Sequence, residues 1–228
     1  MNEIPTIGEL KQLVAYMQSV VFPEYYPAVE APRTLRLPEA FWAELPSISR
    51  LIQTDVDAVL HNDPAVTDRG EVILSYPLTY AMIHYRAAHV LYLLGVPRIP
   101  RMLTELAHSR TGIDIHPAAT IGDHFCIDHG TGVVIGETAV IGSHVVLYQG
   151  VTLGAKNFEY DADGKPMDIP RHPVLEDHVT VYSNTSILGR VTIGHDTVVG
   201  GNIWLTQDVP ANSIVLQSNP DIRIRNKS

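Results

Sequence analysis

Two residues that could move a proton together, Asp114 and His129, stand fifteen positions apart in the stretch GIDIHPAATIGDHFCIDH, which runs from Gly112 to His129. A histidine takes up and returns a proton near neutral pH. A carboxylate on its far ring nitrogen fixes the tautomer and stabilises the imidazolium. Each residue also has an ordinary reading: His129 as a solvent-facing loop residue, Asp114 as a corner residue capping a turn. Eleven histidines also raise metal chemistry, for which three imidazoles would have to converge. His124 and His129 are five apart and His144 lies fifteen beyond. Those spacings do not predict a shared strand face, and no metal is expected. The single cysteine, Cys126, excludes an internal disulfide framework and reads as a buried thiol.

The element that positions these residues is a repeat of six. Aliphatics recur at Ile115, Ile121 and Ile127, then after a two-residue shift at Ile135, Ile141, Leu147 and Leu153. After an insertion they resume at Leu175, Val181, Ile187, Ile193, Val199 and Leu205. Small or β-branched residues follow four positions later, from Ala119 to Ile203. This predicts a solenoid of flat parallel strands, each hexapeptide forming one side of a triangular coil with its aliphatic pointing inward. Fifteen residues approach one coil of three hexapeptides, so Asp114 is expected beside His129 on the adjacent coil. The insertion, 155–173, breaks the repeat, carries the turn signal Asp163-Gly164, and is expected to fold over the site as a flap.

Residues 1–111 read instead as a helical domain. Ile7, Leu10, Leu13, Val14, Met17 and Val21 make one apolar helix face, ended by Pro23 and Pro27. Residues 24–37 look like an extended connector. A second helix is expected from Pro38, with Pro46 breaking or kinking it. Asp63-Pro64 opens a turn or a helix start. The strongest helix spans 77–95, from Pro77 to Gly95, and a last one covers 99–110. The domains are therefore 1–111 helical, 112–210 the coil, and 211–228 a C-terminal tail. The class is α+β.

Charge and hydropathy exclude several functions. Sixteen basic against twenty-five acidic residues give a net charge of −9, with no Lys/Arg cluster of the kind that binds nucleic acid. The N-terminus lacks a basic and an apolar signal region. The longest apolar run, AAHVLYLLGV, is about half of what a membrane span needs. A cytoplasmic protein without membrane or nucleic-acid partners is expected.

Several segments occur together in order: Asp63-Pro64-Ala65, HYRAAH at 84–89, DIHPAATIG at 114–122, DHGTGVVIGETAVIG at 128–142, VTLG at 151–154 and RHP at 171–173. Together they resemble the bacterial and plant serine O-acetyltransferases, hexapeptide-repeat acyltransferases, over roughly residues 60–210. The resemblance implies that the coil is a left-handed parallel β-helix, a hand contrary to the usual crossover rule. It implies acetyl transfer from acetyl-CoA to the hydroxyl of L-serine, giving O-acetylserine and CoA, a step of cysteine biosynthesis. His129 would be the general base and Asp114 its partner. Arg171, assisted by His172, would hold the serine carboxylate, and Asp63 and Asp128 the ammonium, with Glu137 facing the same cavity. Asp63 could equally cap a helix before Pro64. Backbone N–H groups at Gly154 and Ala155 would meet the developing oxyanion, although many members carry Gly-Gly-Thr where this chain has Gly154-Ala155-Lys156. Ser183 and Gly201, at corners, would let the CoA arm lie along the coils.

The resemblance also implies a homotrimer or a dimer of trimers. The end SNPDIRIRNKS lacks the terminal isoleucine that many members insert into their sulfhydrylase partner, so weak or no cysteine synthase complex is expected through it. Other readings are acetyl transfer to another acceptor such as a sugar hydroxyl, a zinc hydratase resembling γ-type carbonic anhydrase, or an inactive scaffold. A neutral sugar needs no fixed cation, so Arg171 argues against the first.

Overall fold

A computed structural model describes residues 39–218 apart from 159, 162, 166 and 168. The expected helix at 7–21, the connector 24–37 and the last ten residues lie outside the described residues. Among the described residues four helices come first: α1 (Glu39–Asn62), α2 (Arg69–Ser75), α3 (Pro77–Leu93) and α4 (Ile99–Thr111). Fourteen short strands follow, from β1 (Asp114–Ile115) to β14 (Ile214–Val215). All pairings between them are parallel.

The strands form three faces of a prism: β1-β4-β7-β10-β13, β2-β5-β8-β11 and β3-β6-β9-β12-β14. We call the corner after the first face edge one, that after the second edge two, and that after the third edge three. The register explains the six-residue period. Ile115 lies over Ile135, Ile135 over Leu153, and Leu153 over Ile187. All thirteen periodic aliphatics are buried, none above 7% exposed. Each such side chain contributes roughly 1.5–3 kcal/mol on leaving water.

Helix α3 joins two cores. Its Met82 and Tyr85 pack with the first coil, and its Ile83, Ala87, Ala88 and Leu91 pack with Phe41, Leu45, Ile48 and Ile52 of α1. It also answers the unpaired backbone of the first coil. The second-coil carbonyls of Ala139 and Ile141 accept from Thr120 and Gly122 above them. Their first-coil counterparts have no coil above. Instead, Tyr85 Oη donates to Ala119 O at 2.5 Å and Arg86 Nη1 to Ile121 O at 2.6 Å. Arg86 Nη2 reaches both Gly122 O and Asp55, and Asp55 accepts from Phe125 N. Arg86 and Asp55 are almost wholly buried, and burial pushes the Asp55 carboxyl up to about 6 against the opposing pull of Arg86.

Two expectations change, and of the two readings of Asp63 the turn holds. Helix α1 runs unbroken through Pro46, because Phe41, Leu45 and Ile48 bury one continuous face on both sides of it. Asp63 caps no helix: its Oδ1 accepts from Ala65 N in a turn, and Asp68 caps α2 by accepting from Glu71 N. The ladder runs beyond residue 210, since Ile214 and Val215 pair with Val198 and Val199. Cys126 is buried as expected, and burial raises its thiol to about 12.

Candidate active site

The two-residue shift after Ile127 is where the first coil loops out. Ile115 to Ile135 is twenty residues, whereas Ile135 to Leu153 is eighteen. The surplus is extruded at edge three as His129-Gly130-Thr131-Gly132, with φ of 58° at His129, 85° at Gly130 and 81° at Gly132. His129 consequently stands in solvent, its side chain 73% exposed, with Nε2 4.0 Å from Asp128 Oδ2. A Cβ on Gly130 would meet Ile113 Cδ1 at 2.6 Å, so the loop packs too closely for another residue there.

Asp63 faces the same loop from the helical side. Tyr76 Oη donates to Asp63 Oδ2 at 2.6 Å. That bond, with the Ala65 N–H, holds the Asp63 carboxyl below the usual carboxylate range, and His129 adds a smaller pull in the same direction. The same bond raises the Tyr76 hydroxyl to about 12, so it remains a donor. Edge three thus carries a histidine and two carboxylates.

Asp114 is placed differently from the expectation. It lies over Val134, not over His129. Two residues earlier Gly112 sits against Thr131, and Gly132 N donates to Gly112 O, which brings the His129 loop alongside the start of β1. Asp114 makes its ion pair with Arg101 of α4, at 3.9 Å, and none with His129 among the described residues.

Edge one gathers the second group. The insertion leaves the coil between β7 and β8 and returns at Arg171-His172. Arg171 Nη2 donates to Glu137 Oε2, and its guanidinium carbon lies 5.9 Å from the Phe158 ring centre. The insertion and the next coil enclose a pocket of about 200 Å³ lined by Lys156, Phe158, Met167, Arg171 and Arg190. His172 is buried. Thr138 N donates to its Nδ1 at 3.1 Å, which leaves the proton on Nε2. Burial, reinforced by Arg171, depresses His172 to about 4, so it is neutral at pH 7 with Nε2–H a donor. Arg190 donates to Thr138 O and His172 O, fixing this return segment.

The remaining expected residues divide between the same two edges. Gly154 ends β7 at edge one, with Ala155 next in the chain. Ser183 and Gly201 stack at edge three, where a Cβ on Gly201 would meet Ser183 O at 3.1 Å. The structure therefore places His129, Asp63, Asp128, Ser183 and Gly201 on one side of the first face. Arg171, His172, Glu137, Gly154 and Ala155 are on the other. Sequence reasoning missed Tyr76, Thr138 and Arg190, which position Asp63 and His172. The three histidines whose spacings predicted no shared strand face do not converge, since His129 stands at edge three, but sequence reasoning did not foresee that His124 and His144 stack at edge two.

The coil and its histidine and carboxylates define a hexapeptide-repeat protein of the left-handed β-helix class. No protein-family model matches the chain. It is 49% identical over 197 residues to a serine acetyltransferase of Synechococcus elongatus, covering 86% of this chain and 62% of that one. It is 42% identical over 163 residues to a serine acetyltransferase of Helicobacter pylori, covering 72% of this chain and 91% of that one. It superposes with a TM-score of 0.80 on serine acetyltransferase isoform 3 of Entamoeba histolytica in complex with cysteine, 37% identical, covering 97% of this chain and 75% of that one. The chain belongs to the serine acetyltransferase family. It spans less than two thirds of the Synechococcus relative's length. No helix among the described residues is long and apolar enough to cross a membrane.

Proposed function

We propose that this protein transfers acetyl from acetyl-CoA to the hydroxyl of L-serine. The observation that carries this reading is the pairing of chemistries across the first face. A histidine with two carboxylates lies at edge three, and an arginine with a neutral, donating imidazole at edge one. A small zwitterion with a hydroxyl fits such a pair of half-sites.

His129 removes the hydroxyl proton as the oxygen attacks the thioester carbonyl, then returns it to the departing CoA sulfur. Asp63 and Asp128 hold the ammonium. Arg171 and the Nε2–H of His172 hold the carboxylate. Glu137, bound to Arg171, aims the guanidinium. Asp114 orients His129 once the site is assembled and substrate is present. The backbone at Gly154 and Ala155 receives the oxyanion. Ser183 and Gly201 leave room for the CoA arm. Acetyl-CoA is the co-substrate, and no metal takes part in the transfer.

The two half-sites lie on opposite borders of one face, so one chain supplies each half to a different site. A threefold assembly of the coils brings edge one of one copy to edge three of the next, consistent with a homotrimer or a dimer of trimers. A cytoplasmic location is part of the same reading.

The test is CoA thiol release from acetyl-CoA with serine as acceptor. His129→Ala should lose about a hundredfold or more. His129→Ala and Arg171→Ala chains, each inactive alone, should regain activity when dissociated and reassembled together. If another hydroxyl compound reacts and serine does not, the acceptor is wrong. If mixing restores nothing, the shared site is wrong.

A further inference from the structure

Edge two lies away from both half-sites, and it carries a column of imidazoles. His124, His144 and His178 occupy the same corner of three successive coils, with φ of 52°, 58° and 59°. Ring centres are 4.2 Å apart for His124 and His144 and 4.8 Å for His144 and His178, and the planes are within 14° of parallel. Backbone bonds fix the spacing: His144 N donates to Asp123 O at 3.0 Å and His178 N to Ser143 O at 2.9 Å. The left-handed conformation suits Asn, Asp or His. The next coils use Asp196 and Asn212 there, so the backbone does not itself require histidine.

One nitrogen in this column lacks a hydrogen bond. His124 Nδ1 is shielded from solvent and has no hydrogen-bond partner among the described residues. Asp123 Oδ1 faces it at 3.5 Å. That is the separation of two ligands on one tetrahedral ion: two atoms each about 2.0–2.1 Å from zinc lie about 3.3 Å apart. His144 offers a ligand atom within 4.8 Å of both, and its exposed ring must turn out of the stack to bring that lone pair onto the ion.

We propose that Asp123, His124 and His144 form a binding site for a divalent cation of the zinc class. Two imidazoles and one carboxylate favour Zn2+ over Mg2+, which prefers oxygen ligands and retained water. The fourth position is left to water. The ion would tie the first two coils together at the edge remote from the transfer chemistry, and the inference does not depend on that chemistry.

The test uses the full-length untagged chain, stripped with chelator and titrated with ZnCl2 in a calorimeter. One Zn2+ should bind per chain. His124→Asn and His144→Asn keep a residue that accepts the corner conformation. Each should weaken binding by about a hundredfold or more while circular dichroism and serine-dependent CoA release are unchanged. Asp123→Asn should weaken it as well. A second group, Glu105, His108 and Asp114, also brings ligand atoms together. His108→Asn should therefore leave the affinity intact. Absence of zinc uptake by the wild type, equal affinity in the three edge-two variants, or loss on His108→Asn would each overturn the proposal.

Discussion

Tyr76 donates its hydroxyl to Asp63 across 2.6 Å, joining the residue before α3 to the turn after α1. The bond lets Asp63 remain ionised to lower pH than a free aspartate does. It makes Tyr76 a positioning residue for the ammonium side of the site.

Tyr76→Phe removes that donor and lets the Asp63 pKa rise. A hydrogen bond to a charged group is worth about 1.5–3 kcal/mol, so the serine KM should rise about tenfold or more, with a smaller change in kcat. The acid limb of kcat/KM for serine should move to higher pH. An unchanged KM with an unmoved acid limb would mean that Asp63 does not hold the substrate.

Gly136→Ala should act on the opposite edge. A Cβ there would lie 2.0 Å from His172 Cδ2 and 2.1 Å from Nε2, so the ring must leave its place against Thr138. The serine KM should rise by an order of magnitude, roughly as in His172→Ala. The double variant should be no worse than His172→Ala alone. Additive losses would show that Gly136 acts through something other than the ring.

Asp114→Asn tests the partner of the base. The carboxylate should matter to kcat and little to the serine KM, with a loss of about a hundredfold. Arg101→Ala removes the ion pair that Asp114 makes in this conformation and should leave kcat close to wild type. Equal losses in both variants would make Asp114 an anchor for α4 instead.

Two buried groups pull stability in opposite directions with pH. Asp55 is raised to about 6, so the native state binds its proton more readily than the unfolded chain does. Its contribution is fully present below about 4 and is lost as pH rises through about 6. His172 is depressed to about 4, so its contribution is present above about 6.5 and is lost as pH falls through about 4. Urea denaturation of Asp55→Asn should show about 3–5 kcal/mol lower stability at pH 7, because Arg86 is left buried without its partner. Its pH dependence should lack the decline between about 4 and 6. Wild-type stability at pH 7 in this variant would contradict the buried pair.

Much of this was legible in the chain because a β-helix writes its core at a fixed period. The thirteen aliphatics from Ile115 to Leu205 all point inward, and the one slip among the early repeats marks the loop that carries His129. What escaped depends on contacts with no period. Thr138 meets His172 across the whole insertion, and Tyr76 meets Asp63 past an intervening helix. The histidine column was hidden for the same reason. Its members are twenty and then thirty-four residues apart, because one coil is lengthened by the His129 loop and the next by the insertion. Asp114 does not stack on His129 because a coil returns after eighteen residues, or twenty here, and never after fifteen. Pro46 does not break α1, because local propensity gave way to the apolar face of that helix.

The side chains of α3 that meet Ala119, Ile121 and Gly122 have a consequence for solubility. A stack of parallel coils is a rod with two open rims, and each rim offers another molecule a row of backbone groups to continue. Tyr85 and Arg86 terminate the upper rim as a stopper would. A chain trimmed to the coils alone would expose that rim and gain an end-to-end way of joining copies that the intact protein denies. The helical region is thus what gives this solenoid a beginning.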